Sequence, residues 1–149
     1  MIEKKLVSVS YQWAIAVYKG TSPSKLQPWR KAPETVITYK DVTDIKADFV
    51  ADPFMILIDQ LWYMFFEVLN NGTSLGEIGY ATSSDCIQWN YGEIILREKF
   101  HLSYPMVFRN NQELYMIPET RQANEIRLYK ANLFPQKWIQ EKVLVKGDY

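Results

Sequence analysis

Short apolar runs separated by turn residues make up most of this chain. In its middle part the pattern predicts four strands, at residues 54–58, 61–68, 77–82 and 88–97. Asp59 and Gln60 form a predicted tight hairpin turn between the first two strands, and the sequence NNGTSLG supplies the next loop. Helix signals are weak, since even the short candidate SKLQPWRK is interrupted by Pro28.

The same pattern then repeats. Tyr63 corresponds to Tyr115, which lies 52 positions later, and Glu77 corresponds to Glu125, which lies 48 positions later. The predicted strands of the second copy lie at residues 106–109, 113–117, 125–130 and 138–145. Pro118 is expected to end the second of these strands, because proline removes a donor from the hydrogen-bond ladder. A repeat of about 50 residues that consists of short strands is typical of a propeller blade.

The segment before the repeats has a different pattern. Two strands are predicted at residues 12–19 and 35–40, joined by a loop rich in Pro, Ser and Lys. This segment resembles the outer half of a blade. The predicted fold is therefore all-β and forms a single domain, with a half blade at about residues 11–41 and two four-stranded antiparallel blades at 52–98 and 104–146.

The amino-acid composition limits the classes of binding partner that this chain is expected to have. Hydrophobic residues make up 48% of the 149 residues, which is enough for a real core. Seventeen basic residues balance seventeen acidic ones, so neither nucleic acid nor an anionic membrane is an expected partner. The first twenty residues do not have the pattern of a signal peptide, and no apolar stretch is long enough to cross a bilayer. Cys86 is the single cysteine, which fits a reducing, cytoplasmic location.

Several sequence words along the repeats resemble one known family: ADPF, WYMFFE, GEIG, HLSYP and YMIPET. It is the propeller domain at the N-terminus of glucosamine inositolphosphorylceramide transferases and of related bacterial proteins. That domain is similar in turn to the five-bladed propellers of arabinanases, levansucrases and invertases. A closed five-bladed ring would need roughly twice this length. The resemblance therefore implies a partial propeller, either as a natural short relative, as a fragment or as part of an assembly.

The resemblance also implies where a site would lie. In glycosidase-type propellers the innermost strand of each blade begins at the rim of a central pocket, and carboxylates there act as acid, base or nucleophile. Asp52 matches the base or nucleophile of those enzymes. Its equivalent in the second copy is Tyr104, where arabinanase-type enzymes would have a second carboxylate. Glycoside hydrolysis needs two carboxylates at a set separation, so the resemblance supplies one of them.

Glu67 and Glu119 occupy the same place in the two copies, at the end of an apolar strand. Together with Asp52 they are the candidates for acid/base catalysis or for binding sugar hydroxyls. The alternative is a structural role, in which each glutamate satisfies backbone amides or an arginine between blades. Repetition favours the structural role slightly, because a catalytic residue need occur only once.

His101 is the only histidine, and it lies beside Ser103 and Tyr104 at the approach to the second inner strand. The resemblance to HLSYP implies that these three residues bind substrate, whereas a lone histidine is more often simply packed. One histidine and one cysteine cannot supply a zinc ligand set, and no loop has the calcium spacing. The chain also lacks phosphate-binding, nucleophile-elbow and dinucleotide motifs, so no metal or cofactor is expected.

Three functions remain open at this point. The first is a carbohydrate-binding protein that uses the rim of the inner strands. The second is a glycoside hydrolase or glycosyltransferase that completes its site by oligomerisation, and the third is a scaffold without a small-molecule site. Unpaired blade edges and open blade faces predict self-association in each case. Glu77 and Glu125 are expected in ion pairs between strands, the latter with Arg127.

Overall fold

The computed structural model describes residues 13–147, and within them the chain is all-β, as predicted, with no α-helix. The strands are β1 (Tyr18–Gly20), β2 (Leu26–Pro28), β3 (Ala47–Ile58), β4 (Leu61–Asn70), β5 (Leu75–Ser83), β6 (Asn90–Leu96), β7 (Ser103–Asn110), β8 (Glu113–Glu119), β9 (Glu125–Leu133) and β10 (Lys137–Lys146). Two 3-10 turns lie at Tyr39–Asp41 and Arg121–Ala123. Among these described residues there is no helix long and apolar enough to cross a membrane.

Two four-stranded antiparallel meanders form the body of the structure. The first sheet has the order β3-β4-β5-β6, and the second sheet contains β7, β8, β9 and β10 in the same sequential order. Their registers are equivalent, since Tyr63 pairs with Ile56 and Tyr115 pairs with Phe108. The predicted turn between β3 and β4 is confirmed, because Asp59 has a φ of 47° and Gln60 a φ of 63°. Two successive left-handed residues are the mark of a tight hairpin turn.

The front segment differs from the prediction. Residue 12 lies outside the described residues, and the strand predicted to continue to residue 19 is reduced to β1, which pairs with β2. A single bridge joins Ile15 and Ile37, and the strand predicted at 35–40 is wrong, because Tyr39–Asp41 forms a 3-10 turn. The side chains of Thr38 and Asp41 close this turn. The Thr38 hydroxyl accepts from the Lys40 N–H, and the Asp41 carboxylate accepts from the Thr38 N–H.

Pro118 does not end its strand, so that prediction is also wrong. Strand β8 continues to Glu119, which pairs with Ser103 of β7. Pro118 has no ladder partner in either register, because β7 has a register irregularity opposite it and β9 pairs with β8 only at Tyr115 and Met116. Its missing N–H therefore interrupts no ladder hydrogen bond.

Strand β4 carries apolar side chains on both faces. Met64 and Phe66 pack against the front segment, in a core cluster that includes Ile37. Phe65 points the other way and packs against the second sheet, where its ring meets that of Trp138 edge-on at 5.7 Å. This second cluster holds the two sheets face to face, and it brings the inner strands β3 and β7 into contact. Full burial of a side chain such as Phe65 contributes about 1.5–3 kcal/mol.

Candidate functional site

Both inner strands carry a bulge at the same place. The register of β3 against β4 shifts between Ala51 and Phe54, and that of β7 against β8 shifts between Ser103 and Met106. One extra residue in the inner strand is accommodated by a left-handed residue, Asp52 with a φ of 52° in the first sheet. Pro53 would by itself favour an extended conformation for Asp52, but the bulge holds the Asp52 backbone in the left-handed region instead.

The equivalent bulge residue in the second sheet is Tyr104, with a φ of 46°. A left-handed conformation is rare for a bulky residue, and it costs on the order of 1–3 kcal/mol. Tyr104 is 58% exposed, so burial of the residue does not offset that cost. Backbone strain of this kind is concentrated at functional sites, so the two bulges indicate the position of a candidate functional site.

The bulges border a cleft of about 260 Å³ at the meeting of the two inner strands. Asp52, Glu67 and Tyr104, three of the residues predicted from the sequence, line this cleft together. Trp13 from the front segment lines it as well, and this residue is 66% exposed. The cleft therefore combines two carboxyl groups with two accessible aromatic rings.

Glu67 lies at the base of the cleft, with only 5% of its surface exposed. The Asp52 carboxyl group is its neighbour in the cleft. Burial raises the pKa of Glu67 to about 8, and the Asp52 carboxyl and the charge of Glu119 add to this effect. At neutral pH Glu67 therefore keeps its proton beside the Asp52 carboxyl group.

His101 lies behind Glu67, in the connection between the two sheets. Its Nε2 is 3.0 Å from Glu67 Oε1, and its Nδ1 accepts the backbone N–H of Gly76 at 2.9 Å. The backbone N–H of His101 donates to Gln122 Oε1 at 3.0 Å. The histidine is not among the residues that line the cleft, and it contacts the buried acid Glu67 within it.

Ser103 and Glu119 lie at the equivalent end of the second sheet. The Ser103 hydroxyl donates to Glu119 Oε2 at 3.2 Å, and Glu119 Oε1 accepts the Arg121 N–H at 2.8 Å. Glu119 lines a separate groove of about 470 Å³, which Tyr104 also borders. Both Glu119 oxygens thus have structural partners, and Ser103 is 7% exposed beside them.

The sequence motifs did not identify two residues that support this arrangement, Gly76 and Gln122. Gly76 lies within β5, and a Cβ atom there would come within 2.3 Å of the Leu102 carbonyl oxygen and 2.9 Å of Glu67 Oε1. A glycine inside a strand often marks such a close approach, so this signal was available. Gln122 belongs to a short 3-10 turn, and nothing in the sequence distinguishes it from other surface glutamines.

The repeated glutamates of β5 and β9 form ion pairs, but the partner of Glu125 in another strand is Lys146 of β10, because the predicted partner Arg127 lies in the same strand as Glu125. Glu77 lies 2.8 Å from the Arg97 guanidinium, and Glu125 lies 2.8 Å from that of Arg127 and 3.3 Å from the Lys146 ammonium. The hydrogen bond from Arg127 lowers the pKa of Glu125. These pairs brace strands and lie outside the carboxyl cleft. Within residues 13–147 no group of three or more His, Cys, Asp or Glu side chains is arranged to hold a metal ion.

The carboxyl pair sets limits on the chemistry. Glycosidases hold their two carboxyl groups about 5–5.5 Å apart when they retain configuration and about 6.5–9.5 Å apart when they invert it. Asp52 and Glu67 are direct neighbours, and the Asp52 carboxyl group helps to raise the pKa of Glu67. A protonated carboxyl group beside a second carboxyl group is suited to exchange hydrogen bonds with hydroxyl groups, because the pair offers both a donor and acceptors.

Comparison with solved structures shows the fold. A variant of a Bombyx mori GH32 β-fructofuranosidase in complex with sucrose matches 78% of this chain and 27% of its own, with a TM-score of 0.59 and 13% identity. A family 117 glycoside hydrolase from Zobellia galactanivorans matches 63% of this chain and 38% of its own, with a TM-score of 0.51 and 14% identity. The chain is thus a partial β-propeller of the five-bladed type, as predicted, with two four-stranded blades.

Curated relatives are much closer in sequence. Glucosamine inositolphosphorylceramide transferase 1 of Oryza sativa subsp. indica is 39% identical over 149 residues, and the Arabidopsis thaliana protein of that name is also 39% identical over 149 residues. The alignments cover 89% and 90% of this chain but only 20% of each relative. The chain therefore spans about a fifth of the length of these relatives.

The sequence profile of one protein family matches residues 9–148, which is nearly the whole chain. That family is described as glucosamine inositolphosphorylceramide transferase 1, N-terminal. The match agrees with the shared sequence of the plant relatives and with the two repeated sheets. The chain belongs to the family of glucosamine inositolphosphorylceramide transferase N-terminal domains.

Proposed function

We propose that this domain binds a carbohydrate in the cleft at the bulges of β3 and β7. The observation that carries the proposal is Asp52 next to the buried, protonated Glu67, beside the exposed residues Trp13 and Tyr104. Sugars present apolar C–H faces and hydroxyl groups together. An aromatic ring suits the first of these surfaces, and a carboxyl pair suits the second.

Asp52 is the group that meets the ligand directly, since it is half-buried and lies at the mouth of the cleft. Glu67 lies beneath it and keeps a proton at neutral pH. In the proposed complex the Glu67 hydroxyl donates to Asp52, and the remaining lone pairs of Asp52 accept from sugar hydroxyl groups. The sugar complex of the β-fructofuranosidase relative in fold supports a carbohydrate at this kind of scaffold.

One observation favours a second candidate function, glycoside hydrolysis or glycosyl transfer. A carboxyl group that holds its proton at neutral pH, as Glu67 does, has the property required of a general acid. The names of the plant relatives describe transferases, and this chain covers a fifth of their length. Catalysis would need a second carboxylate at glycosidase separation, supplied by another part of a longer protein or by another copy.

Sugar binding is tested with a matched pair of variants. Asp52→Asn removes the charge at the cleft, and Asp59→Asn makes the same change at another left-handed position, in the hairpin turn at the far end of β3. A glycan array identifies the ligand for the unchanged protein, and calorimetry then measures its affinity for both variants. We expect Asp52→Asn to weaken binding at least tenfold, or about 1.4 kcal/mol, and Asp59→Asn to leave it unchanged.

Other results would exclude the proposal. An array without any bound glycan would favour the scaffold function. Equal affinity of Asp52→Asn and the unchanged protein would remove the carboxyl pair from the binding site. Release of free sugar from a bound glycan, abolished by Glu67→Gln, would replace binding by hydrolysis as the function of the cleft.

A further inference from the structure

His101 is fixed on several sides although it belongs to a connection between two sheets. The Gly76 N–H donates to its Nδ1, its own N–H donates to Gln122, and the Leu102 N–H beside it donates to the Gly76 carbonyl at 2.9 Å. These contacts come from β5 of the first sheet and from the 3-10 turn before β9 of the second. The ring is therefore held in one orientation by both sheets at once.

The contact with Gly76 also fixes the tautomer. A backbone N–H can only donate, so Nδ1 must be the unprotonated nitrogen of a neutral ring, and the ring proton lies on Nε2. Nε2–H then donates to Glu67 Oε1 at 3.0 Å. Because Oε1 accepts this hydrogen bond, Oε2 is the oxygen left to carry the proton that Glu67 retains at neutral pH.

We propose, building on the sugar-binding function above, that His101 is a positioning residue that directs the acid proton of Glu67 toward Asp52. It acts through Glu67 and does not touch the ligand. Gly76 belongs to the same device, since a Cβ atom there would lie 2.8 Å from the ring carbon Cε1 and 2.9 Å from Glu67 Oε1. Three groups thus act on Glu67: Asp52 from β3, Glu119 from β8 and His101 from the connection.

Two substitutions separate positioning from packing. His101→Phe keeps a planar ring and removes both hydrogen bonds. His101→Gln keeps an N–H donor and a carbonyl acceptor, so it can hold Glu67 and accept from Gly76. The readout is the titration of the Glu67 side-chain carboxyl, followed by 13C NMR, together with the pH profile of sugar affinity by calorimetry.

We expect His101→Phe to move the Glu67 midpoint to higher pH, because a donor that favours the carboxylate is lost. The sugar affinity of His101→Phe at neutral pH should be roughly tenfold lower than that of the unchanged protein. As the pH rises, the affinity of the variant should decrease further around its shifted Glu67 midpoint. His101→Gln should restore both the midpoint and the affinity to within about threefold of the unchanged protein. Folded spectra of both variants make the comparison valid.

An unmoved Glu67 midpoint in His101→Phe would overturn the inference, as would equal sugar affinity of the Phe and Gln variants. If His101→Phe fails to fold, the test rests on His101→Gln alone. A positioning role then requires that this variant keeps the Glu67 midpoint and the sugar affinity of the unchanged protein, and a clear difference in both would count against the role. A shifted midpoint in a protein that binds no glycan would support the action of His101 on Glu67 and would overturn the sugar-binding function instead.

Discussion

The two sheets have the same bulge, with the same opposing glutamate, but different chemistry. In the first sheet Asp52 occupies the bulge, and Glu67 is buried against His101 and keeps its proton at neutral pH. In the second sheet Tyr104 occupies the bulge, and Glu119 is only half-buried and accepts from Ser103. The bulge and the glutamate are therefore the scaffold. The site arises from the residue placed on the bulge and from the sheet that covers the glutamate.

The faces of the sheets differ in the same way. The inner face of the first sheet carries Ile56, Phe65, Ile78 and Tyr80, and the second sheet covers it. The open face of the second sheet carries their repeat equivalents, Phe108, Ile117, Ile126 and Leu128, which line grooves. Equivalent sequence positions thus pack against the other sheet in the first sheet and line open grooves in the second. What distinguishes them is the neighbour, since the pattern of the strand itself is shared.

The strongest test of this comparison uses one residue type at two equivalent positions. Ile78 is 0% exposed, and Ile126, 48 positions later, is 39% exposed. Ile78→Ala should lower the free energy of unfolding by about 2–5 kcal/mol, because it leaves a cavity between the sheets. Ile126→Ala should cost less than about 1 kcal/mol. Urea denaturation measures both, and equal losses would mean that the open face is covered in solution.

Gly76 tests whether the first sheet needs its close approach to the connection. In Gly76→Ala the new Cβ would lie 2.3 Å from a backbone oxygen, so the backbone must shift, and we expect a loss of about 1–3 kcal/mol. Gly72→Ala is the matched control, because its Cβ would meet only the Asn70 side chain, at 3.3 Å. A thermal melt that ranks the two variants equally would contradict the role given to Gly76.

The two glutamates should differ in their effect on stability against pH. The pKa of Glu67 rises from 4.5 to about 8 on folding, so between these pH values the folded chain binds a proton that the unfolded chain releases. This contribution is fully present below pH 4.5 and is lost as the pH rises to about 8, at up to about 1.4 kcal/mol per pH unit.

Glu67→Gln removes this titration, so its stability relative to the unchanged protein should rise between pH 5 and pH 8. Glu119→Gln should retain most of the slope, because the burial of Glu67 persists. Urea titrations at several pH values measure the difference for each variant. Parallel stability curves for Glu67→Gln and the unchanged protein would show that Glu67 does not hold its proton.

Much of this arrangement could be predicted from the sequence. The offset between Tyr63 and Tyr115 predicts two equivalent meanders, and their registers confirm it. The family resemblance implied that Asp52 and its repeat equivalent Tyr104 lie at the rim of a pocket, and both line one cleft together with Glu67. Hydrophobic periodicity predicts these strands well. A strand with one buried face alternates apolar and polar residues, whereas a strand with two buried faces is apolar throughout, so the pattern shows how many faces are buried.

The hydrophobic pattern could not predict local backbone irregularities or contacts between distant segments. The bulge at Asp52 adds one residue that no periodicity marks, and it reverses the effect of the following proline. Thr38 and Asp41 turn an apparent strand into a 3-10 turn through side-chain hydrogen bonds. His101 reaches Glu67 only because the connection folds back over Gly76. Each of these depends on one local hydrogen bond or steric contact, to which hydrophobic patterns are blind.

The smallest expected effect concerns the open face of the second sheet, through which we propose that the chain associates with a second copy. Exposed apolar faces of this kind favour association, and the equivalent face of the first sheet is already covered by a sheet. Ile126→Lys should weaken a dimer roughly fivefold, or about 1 kcal/mol, because it places a charge on the contact. Leu57→Lys is the control, since Leu57 is an exposed residue of β3 that lies outside the open face. Sedimentation velocity over a range of concentrations measures the dimer affinity of both variants. At about 1 mM even an association worth about 4.1 kcal/mol would be half complete, so a chain that stays monomeric at this concentration would exclude the proposed dimer.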